Sequence, residues 1–250
     1  MFSFLFSSLA FLGLAAAAPS SPVASAAKLP TFLLAGDSTT AVNGGWGDGL
    51  LATLIKPATG LNVGKSGATT RSFVAGGYWK NVTDHVKKYA GDYEVYVTIS
   101  FGHNDQKENS GVSFDQYQTN LINFANEIKN LGGKPLLVSS LTRRVFQGNT
   151  VVDSLHAQRL AAIKAAQQTK STVIDLNAAS IKYVNAIGKA AAHEYNWGAD
   201  KKDTTHLNGW GTVVFGRMMA DLITDALPSL KTYITANKTM SDRIRNGQPA

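Results

Sequence analysis

The sequence predicts a three-layer α/β/α sandwich around a five-stranded parallel sheet with strand order 2-1-3-4-5. Short apolar segments alternate along the chain with segments of helical periodicity, an arrangement typical of repeated βα units. The apolar segments are hydrophobic almost throughout, as expected for parallel strands that helices cover on both faces. Right-handed crossovers then place the ligand crevice at the carboxyl ends of strands one and three, where the strand order reverses.

Five segments have the composition of buried strands. The third is the clearest, because it is rich in β-branched and aromatic side chains. The predicted strands are residues 31–35, 61–63, 94–101, 135–141 and 172–176. Small or polar residues follow the first three, so polar side chains from distant parts of the chain are expected at one edge of the sheet.

Six segments have helical patterns, and the third of them is the clearest. Apolar side chains recur there at helical spacing, Ser113 and Gln116 predict a capping box, and Gly132 follows the last turn. The predicted helices are residues 50–55, 78–89, 113–131, 153–168, 178–194 and 210–227.

The chain of 250 residues is long enough for one domain with a sizeable core, which we place at residues 30–250. We find no repeat and no linker to a second domain. Within this domain, residues 196–205 are polar and predict a loop. Residues 229–250 are also polar and predict a surface tail.

Residues 1–18 have the features of a signal peptide. They are apolar, too short to span a bilayer comfortably, and end in small residues that suit signal-peptidase cleavage. A buried or membrane-spanning helix is the alternative. Residues 19–29, rich in Ala, Ser and Pro, then predict a flexible mature N-terminus. Asn81 and Asn237 lie in sequons and are candidate N-glycosylation sites, in agreement with a secreted, extracellular protein.

The composition narrows the possible functions. The sequence contains no cysteine, which excludes thiol catalysis, disulfides and cysteine-ligated metals. Its net charge of +7 suits either an acidic polymer as partner or simple solubility. The basic residues are dispersed and form no stripe interleaved with aromatic residues, so we expect no nucleic-acid partner. We expect no metal, no cofactor, no stable membrane association, and a monomer.

The stretch Gly36-Asp37-Ser38 places a serine where the first strand ends. Serine is a weak nucleophile unless a base activates it. Asp203 and His206, three residues apart, can supply that base, since the carboxylate can orient the imidazole so that Nε2 accepts the serine proton. Taken alone, the pair is better explained as a helix-capping aspartate and an exposed histidine, and it is the serine at a strand end that favours the catalytic interpretation.

Attack on an ester also produces an oxyanion, which needs hydrogen-bond donors directed at it. Three candidates follow strand ends: the backbone N–H of Ser38, the backbone N–H of Gly67, and the side-chain amide of Asn104. An ordinary turn glycine and turn asparagine are the alternatives for the last two. Their joint occurrence at three strand ends favours an oxyanion hole.

These residues resemble the four sequence blocks of the SGNH hydrolases, also called the GDSL esterase/lipase family. The blocks are Gly36-Asp37-Ser38, Gly67, Gly102-His103-Asn104-Asp105, and Asp203 with His206, and the resemblance covers residues 32–226. It implies that Ser38 is the nucleophile, His206 the base and then acid, and Asp203 its orienting group. It also implies that Ser38, Gly67 and Asn104 form the oxyanion hole.

Further motifs resemble the rhamnogalacturonan acetylesterase branch of that family. They are Gly45-Trp46-Gly47, Phe101-Gly102-His103-Asn104-Asp105 and the 140–144 strand end. This resemblance implies a secreted esterase that removes acetyl groups from pectic polysaccharide. Candidate substrate contacts are Arg71, His103, Arg143 and Arg144, with surface solvation as the alternative for the arginines. The lack of cysteine and of a proline in residues 141–144 departs from fungal relatives and bears on polymer specificity.

Two other functions remain open at this point. A GDSL lipase or broad short-chain carboxylesterase would present an apolar surface or lid, for which residues 73–74 and 145–146 are the only apolar candidates. A non-catalytic carbohydrate-binding protein on the same fold would be expected to have lost some of the catalytic residue types.

Overall fold

The computed structural model describes residues 1–3 and 27–250. Apart from its first three residues, the expected signal peptide at 1–18 lies outside the described residues, as does most of the expected N-terminal segment at 19–29. The end of that segment is not loose chain, because Leu29 already begins the first strand. Among the helices that are described, none is sufficiently long and apolar to cross a membrane.

The centre of the molecule is a five-stranded parallel sheet with the order β2-β1-β3-β4-β7. Since β7 is the fifth strand of this sheet along the chain, the predicted order 2-1-3-4-5 is confirmed. The longest pairing joins the first and third strands over their whole length, up to Gly36 and Ser100. The five strands are β1 (Leu29–Gly36), β2 (Thr59–Asn62), β3 (Tyr93–Ser100), β4 (Lys134–Val138) and β7 (Thr172–Ile174).

Two small antiparallel hairpins lie outside this sheet. One is formed by β5 (Phe146–Gln147) and β6 (Thr150–Val151), and the other by β8 (Asn196–Trp197) and β9 (Asp203–Leu207). Residues 196–205 were expected to be a loop, so the second hairpin differs from the prediction. Its two strands are too short and too polar to be recognised from alternation of apolar residues.

Helices cover both faces of the sheet. They are α1 (Gly47–Leu51), α2 (Thr70–Ala75), α3 (Tyr78–Tyr89), α4 (Phe114–Asn130), α5 (His156–Thr169), α6 (Leu176–His193), α7 (Gly209–Ala226) and α8 (Lys238–Arg245). Two short 3-10 helices, Glu108–Ser110 and Pro228–Tyr233, complete the described elements. The predicted capping box at Ser113 forms only in part: Ser113 accepts the backbone N–H of Gln116, but the Gln116 side chain donates to Asn120 instead.

Alternate strand residues separate the core into two layers, because successive side chains of a strand point to opposite faces. Phe32 and Leu34 pack with α1, α6 and α7 on one face of the sheet. Leu33 and Ala35 pack with α2, α3, α4 and α5 on the other. Both layers are built from fully buried aliphatic and aromatic side chains. The three-layer sandwich predicted from the sequence is thus present.

The C-terminal segment is folded onto the domain and is not a surface tail. Leu230, Ile234 and Ile244 are buried in the layer that also contains α7. Ile234 forms an isolated β-bridge with Leu54. The sequence prediction failed here because a few widely spaced apolar residues anchor a segment whose average composition is polar.

Helices α1 and α7 touch at glycine. A Cβ on Gly49 would lie 2.0 Å from the carbonyl oxygen of Thr212, and a Cβ on Gly216 would lie 2.3 Å from the carbonyl carbon of Gly49. The obstructing atoms are backbone, so no side-chain rotation can relieve such a contact. Glycine at both positions therefore sets how closely the two helices approach.

The first prediction concerns this contact. Gly216→Ala should lower the free energy of unfolding by about 3 kcal/mol, because the added methyl group forces the two backbones apart. The matched control is Gly209→Ala at the start of the same helix, where a Cβ meets no atom within 4 Å. Urea denaturation should find that control as stable as the wild-type protein or slightly more so. Equal stability of the two variants would contradict the packing argument.

Candidate active site

Ser38 lies in a tight turn at the carboxyl end of β1. Only glycine fits at Gly36, since a Cβ there would lie 2.3 Å from Oγ1 of Thr40 and 2.6 Å from the carbonyl oxygen of Ser100. The N–H groups of Thr40 and Ala41 donate to the carbonyl oxygen of Asp37 at 3.1 and 3.0 Å. The residues after Ser38 thus form a single turn, and the first helix, α1, begins only at Gly47.

Asp37 holds this turn and does not contact the reacting groups. Its Oδ1 accepts hydrogen bonds from the backbone N–H and the hydroxyl of Thr39 at 2.9 and 2.8 Å. Complete burial raises the pKa of the carboxyl in spite of those bonds. The role of Asp37 is therefore structural: it shapes the turn that presents the Ser38 hydroxyl.

A chain of hydrogen bonds joins Ser38, His206 and Asp203. Nε2 of His206 lies 2.8 Å from Oγ of Ser38, and Nδ1 lies 2.7 Å from Oδ2 of Asp203. The other Asp203 oxygen accepts the N–H groups of Thr205 and His206 at 2.9 and 3.0 Å. Because the ionised carboxylate can only accept, Nδ1 carries the proton and Nε2 is left as the acceptor for the serine hydroxyl.

The pKa of Asp203 favours this arrangement. Partial burial opposes ionisation, but hydrogen bonds from the backbone and the imidazole of His206 and from the backbone of Thr205 outweigh it and lower the pKa of the carboxyl. Asp203 is consequently a carboxylate at neutral pH. It is available to stabilise an imidazolium on His206.

The hairpin that carries Asp203 and His206 rests on Arg144. The Arg144 guanidinium donates to Oδ1 of Asn196 and to the carbonyl oxygen of His206, both at 2.6 Å. Its backbone N–H donates to the carbonyl oxygen of Thr204 at 2.8 Å. Arg144 is fully buried, and burial lowers its pKa to about 9, which leaves it charged at neutral pH. The expectation that Arg144 contacts substrate is wrong, because it lies beneath the hairpin as a support.

The residues of the three expected oxyanion donors line one pocket. Gly67 has a φ of +77°, a conformation that favours glycine. Within the described part of the chain, the N–H groups of Ser38 and Gly67 donate to no protein acceptor. The Asn104 amide nitrogen donates one hydrogen bond, to the carbonyl oxygen of Ala68 at 3.0 Å, which leaves its second N–H for another acceptor.

Comparison with known proteins places this constellation in a family. The sequence matches the GDSL-like lipase/acylhydrolase family over residues 34–212. This span contains the turn at Ser38, the loops that carry Gly67 and Asn104, and the Asp203–His206 pair. The chain belongs to this family. The resemblance read from its sequence blocks is confirmed, and the protein is a carboxylic ester hydrolase. The alternative of a non-catalytic carbohydrate-binding protein loses its basis.

Individual relatives of this GDSL hydrolase are distant. Rhamnogalacturonan acetylesterase RhgT of Bacillus subtilis is 28% identical over 223 residues, which cover 82% of this chain and 94% of that protein. The structure of Bacillus subtilis YXIM has a TM-score of 0.68 at 20% identity and covers 80% of this chain and 57% of that chain. Our chain thus spans little more than half of YXIM. Axe2, an acetylxylan esterase from Geobacillus stearothermophilus, has a TM-score of 0.56 at 19% identity, covering 80% and 94% of the two chains.

The hydrogen-bonded chain of Ser38, His206 and Asp203 opens into a pocket of about 370 Å³. Sequence analysis had named five of its lining residues and missed the others. Trp197 was missed because it lies in residues 196–205, which were predicted to be a polar loop. Lys107 was missed because an asparagine and a lysine three residues apart do not form a recognisable catalytic motif. The lining residues are Ser38, Asn43, Ser66, Gly67, Asn104, Lys107, Trp197, Asp203 and His206.

His103 was a candidate substrate contact, and the structure corrects that expectation. It is only 2% exposed, and its Nε2 lies 2.8 Å from the carbonyl oxygen of Leu141. Since a carbonyl can only accept, Nε2 must carry the proton. Burial and the positive charge of Arg143 lower the pKa of His103 to about 3, so the ring stays neutral. His103 therefore lies beneath the site and positions its loop.

The two remaining arginine candidates occupy different places. Arg143 donates to the Thr205 hydroxyl and, at 3.4 Å, to the carbonyl oxygen of His103, so it joins the hairpin to the loop after β3. Burial lowers its pKa. Arg71 is exposed and lines a separate groove of about 480 Å³ together with Gln116 and Asn120. Neither arginine lines the pocket around Ser38. Among the residues that the structure describes, no cluster could hold a metal ion.

Asp105 joins the loop after β3, which contains Asn104, to the start of α2, which follows the Gly67 loop. Its Oδ1 accepts the N–H and the hydroxyl of Thr70 at 2.9 and 2.6 Å, and Thr70 in turn accepts from Asn120. The second carboxyl oxygen is buried and has no partner among the described residues. Burial outweighs the hydrogen bonds from Thr70 and raises the pKa of Asp105 to about 6.

This raised pKa predicts a pH dependence of stability. From the ordinary value of 3.8 to about 6, the folded protein holds a proton on Asp105 that the unfolded chain has lost. Stability should therefore fall as pH rises through that window. Asp105→Asn cannot ionise and should escape this loss, so its free energy of unfolding should rise relative to wild type by about 2–3 kcal/mol between pH 4 and pH 7. Parallel urea-denaturation profiles for the two proteins would refute the prediction.

Proposed function

We propose that this GDSL-family hydrolase is a secreted serine esterase that removes acetyl groups from an acetylated plant cell-wall polysaccharide, with rhamnogalacturonan or pectin as the preferred polymer. The observation that carries the proposal is that the hydrogen-bonded Ser38–His206–Asp203 chain and the residues of the three expected oxyanion donors line one pocket. The similarity to a rhamnogalacturonan acetylesterase supports the choice of polymer.

In the first half of the reaction, Oγ of Ser38 attacks the acetyl carbonyl carbon while Nε2 of His206 accepts the hydroxyl proton. Asp203 stabilises the imidazolium that results. The tetrahedral intermediate then collapses, the bond to the sugar oxygen breaks, and the sugar leaves as an alcohol with the proton from Nε2. The acetyl group remains on Ser38 as an ester.

The second half repeats these steps with water. His206 accepts a proton from the water, whose oxygen attacks the acetyl-enzyme, and returns that proton to Oγ of Ser38 as acetate leaves. In both halves the negative oxygen faces the N–H groups of Ser38 and Gly67 and the free amide N–H of Asn104. Donors already held in place stabilise this charge without reorganising, which is where most of the rate enhancement arises.

The pocket suits a sugar better than an acyl chain. Its lining residues are polar or charged apart from Gly67 and Trp197, and Trp197 is 42% exposed and offers a flat apolar face to a pyranose ring. The apolar residues considered for a lipase lid lie elsewhere: Phe73 is buried in the core, and Val74 and Val145 line no part of this pocket. A carbohydrate ester is therefore favoured over a lipid or a broad range of short-chain esters.

An acidic polymer agrees with the charge of the protein. The chain carries a net charge of +7, and Arg71 keeps most of its guanidinium donors free in the groove beside α2. Guanidinium groups match the geometry of carboxylates. Arg71 and the partly exposed Arg143 are the candidate contacts for uronate groups of the polymer.

Extracellular location is part of the same proposal. A polymer of the plant cell wall can only be reached outside the cell that makes the enzyme. The two sequon asparagines are suitably placed for glycosylation, since Asn81 is exposed on α3 and Asn237 is exposed at the start of α8. Oδ1 of Asn237 accepts from the N–H of Met240, and its nitrogen is left for a glycan.

Ser38→Ala should abolish hydrolysis of p-nitrophenyl acetate because it removes the nucleophile. Asp203→Asn should lower kcat by roughly 10³–10⁴-fold, because an amide donates where the carboxylate accepts and so stabilises the wrong imidazole tautomer. Both variants should keep the wild-type circular dichroism spectrum and melting temperature. Turnover by a folded Ser38→Ala protein at the wild-type rate would disprove the serine mechanism.

A substrate panel tests the polymer and the role of Trp197. Acetate release should be fastest from acetylated rhamnogalacturonan or pectin, slower from acetylated xylan, and undetectable from a triglyceride emulsion. Trp197→Ala should raise KM for acetylated oligosaccharides about tenfold through loss of stacking and leave p-nitrophenyl acetate hydrolysis little changed. Trp210→Ala, which removes an exposed tryptophan outside the pocket, is the matched control. A preference for triglyceride would favour the lipase alternative.

A further inference from the structure

Lys107 lines the Ser38 pocket, yet no step of the mechanism above uses it. Its Nζ donates to Oδ1 of Asn104 at 2.8 Å. The turn after β3 places the two residues together, since the N–H of Lys107 donates to the carbonyl oxygen of Asn104 at 3.2 Å. The lysine side chain is thereby folded back onto the amide that is expected to meet the oxyanion.

The hydrogen bonds on Asn104 leave only one favourable orientation for its amide. Nδ2 donates to the carbonyl oxygen of Ala68, and Oδ1 accepts from Lys107. If the amide were rotated by 180°, Oδ1 would face the Ala68 oxygen and Nδ2 would face the ammonium group. Both contacts would then be repulsive, so Lys107 and Ala68 together direct the free N–H of Asn104 into the pocket.

The positive charge of Lys107 also strengthens Asn104 as a donor. A hydrogen bond from a charged ammonium group draws electron density toward Oδ1 and makes the N–H groups more acidic. Asn104 is only 7% exposed, so little water competes for it. Removal of Lys107 would leave an amide that is both freer to rotate and a weaker donor.

We propose that Lys107 is a positioning residue of the oxyanion hole, which acts by holding and polarising the Asn104 amide. This inference rests on the proposed esterase mechanism. Lys107 contacts neither the nucleophile nor the base, and it acts on the transition state through Asn104. A different role would be a direct contact between Lys107 and a carboxylate of the polymer, and the two roles differ in which substrates they affect.

The first test is Lys107→Met, which keeps the length of the side chain and removes its charge and donors. With p-nitrophenyl acetate, a neutral substrate, kcat should fall about tenfold with KM unchanged, a smaller loss than the 10²–10³-fold expected on deleting an oxyanion donor itself. Lys107→Arg keeps a charged donor and should recover most of the activity. Lys65→Met removes an exposed lysine that does not touch Asn104 and should retain wild-type kcat.

Three results would overturn the proposal. One is wild-type kcat for Lys107→Met on p-nitrophenyl acetate. Another is a loss confined to KM on acetylated polygalacturonate, which would indicate a carboxylate contact. The last is an equally poor Lys107→Arg variant with a normal melting temperature, which would show that a charged donor at this position is not what matters.

A double-mutant cycle separates this proposal from the mechanism on which it rests. In an Asn104→Ala background, Lys107→Met should cause no further loss of kcat, because Lys107 has no amide left to act on. Additive losses would overturn the proposal and leave the esterase mechanism in place. Wild-type activity of Asn104→Ala would instead remove Asn104 from the oxyanion hole, and a loss in Lys107→Met would then have to arise by another route.

Discussion

The contact between α1 and α7 brings together the two distant segments of the chain that form the site. Ser38 and His206 are 168 residues apart in sequence, and a single hydrogen bond between their side chains could not hold two such distant segments in register. The helices that follow them meet backbone to backbone at Gly49 and Gly216. Beside this contact, the N–H of Leu207 donates to the carbonyl oxygen of Gly44, and the Thr212 hydroxyl donates to that of Gly45, both at 2.9 Å. Helix packing and hydrogen bonds to backbone carbonyl oxygens therefore align Ser38 with His206, in addition to the bond between their own side chains.

Three acidic residues around the site have different functions, and their surroundings explain why. Asp37 and Asp105 are buried, and burial raises the pKa of both carboxyl groups. One oxygen of each carboxyl group accepts hydrogen bonds from the N–H and the hydroxyl of a threonine, Thr39 or Thr70. Asp203 is more exposed, accepts backbone N–H groups at one oxygen and the imidazole at the other, and has a lowered pKa. Of the three, Asp203 therefore combines a stable negative charge with contact to His206. The other two shape the segments that hold Ser38 and the proposed oxyanion donors.

The sequence was sufficient to predict the sheet order and to place Ser38, Gly67 and Asn104 together, because each of the three follows a strand of the central sheet. Asp203 and His206 could be predicted from their spacing, which suits a carboxylate that orients an imidazole. It was insufficient for Arg144, since a buried arginine and an exposed one look alike in a polar stretch, and only the β8–β9 hairpin that it supports distinguishes them. Trp197 and Lys107 were missed for a related reason: only the fold shows that Trp197 pairs with Asp203 in this hairpin and that the Lys107 side chain turns back onto Asn104. The packing of the C-terminal segment was missed because three apolar side chains decide it within an otherwise polar composition.

The position of the base near the end of the chain has a consequence for biosynthesis. A ribosome completes all five strands of the central sheet before it adds the hairpin that carries His206, and α7 follows later still. A nascent chain can thus pair its sheet and bury one layer of its core while Ser38 has no proton acceptor. A chain that stops before the β8–β9 hairpin lacks the proposed base, so it could not cleave an ester by the proposed mechanism even with its sheet complete.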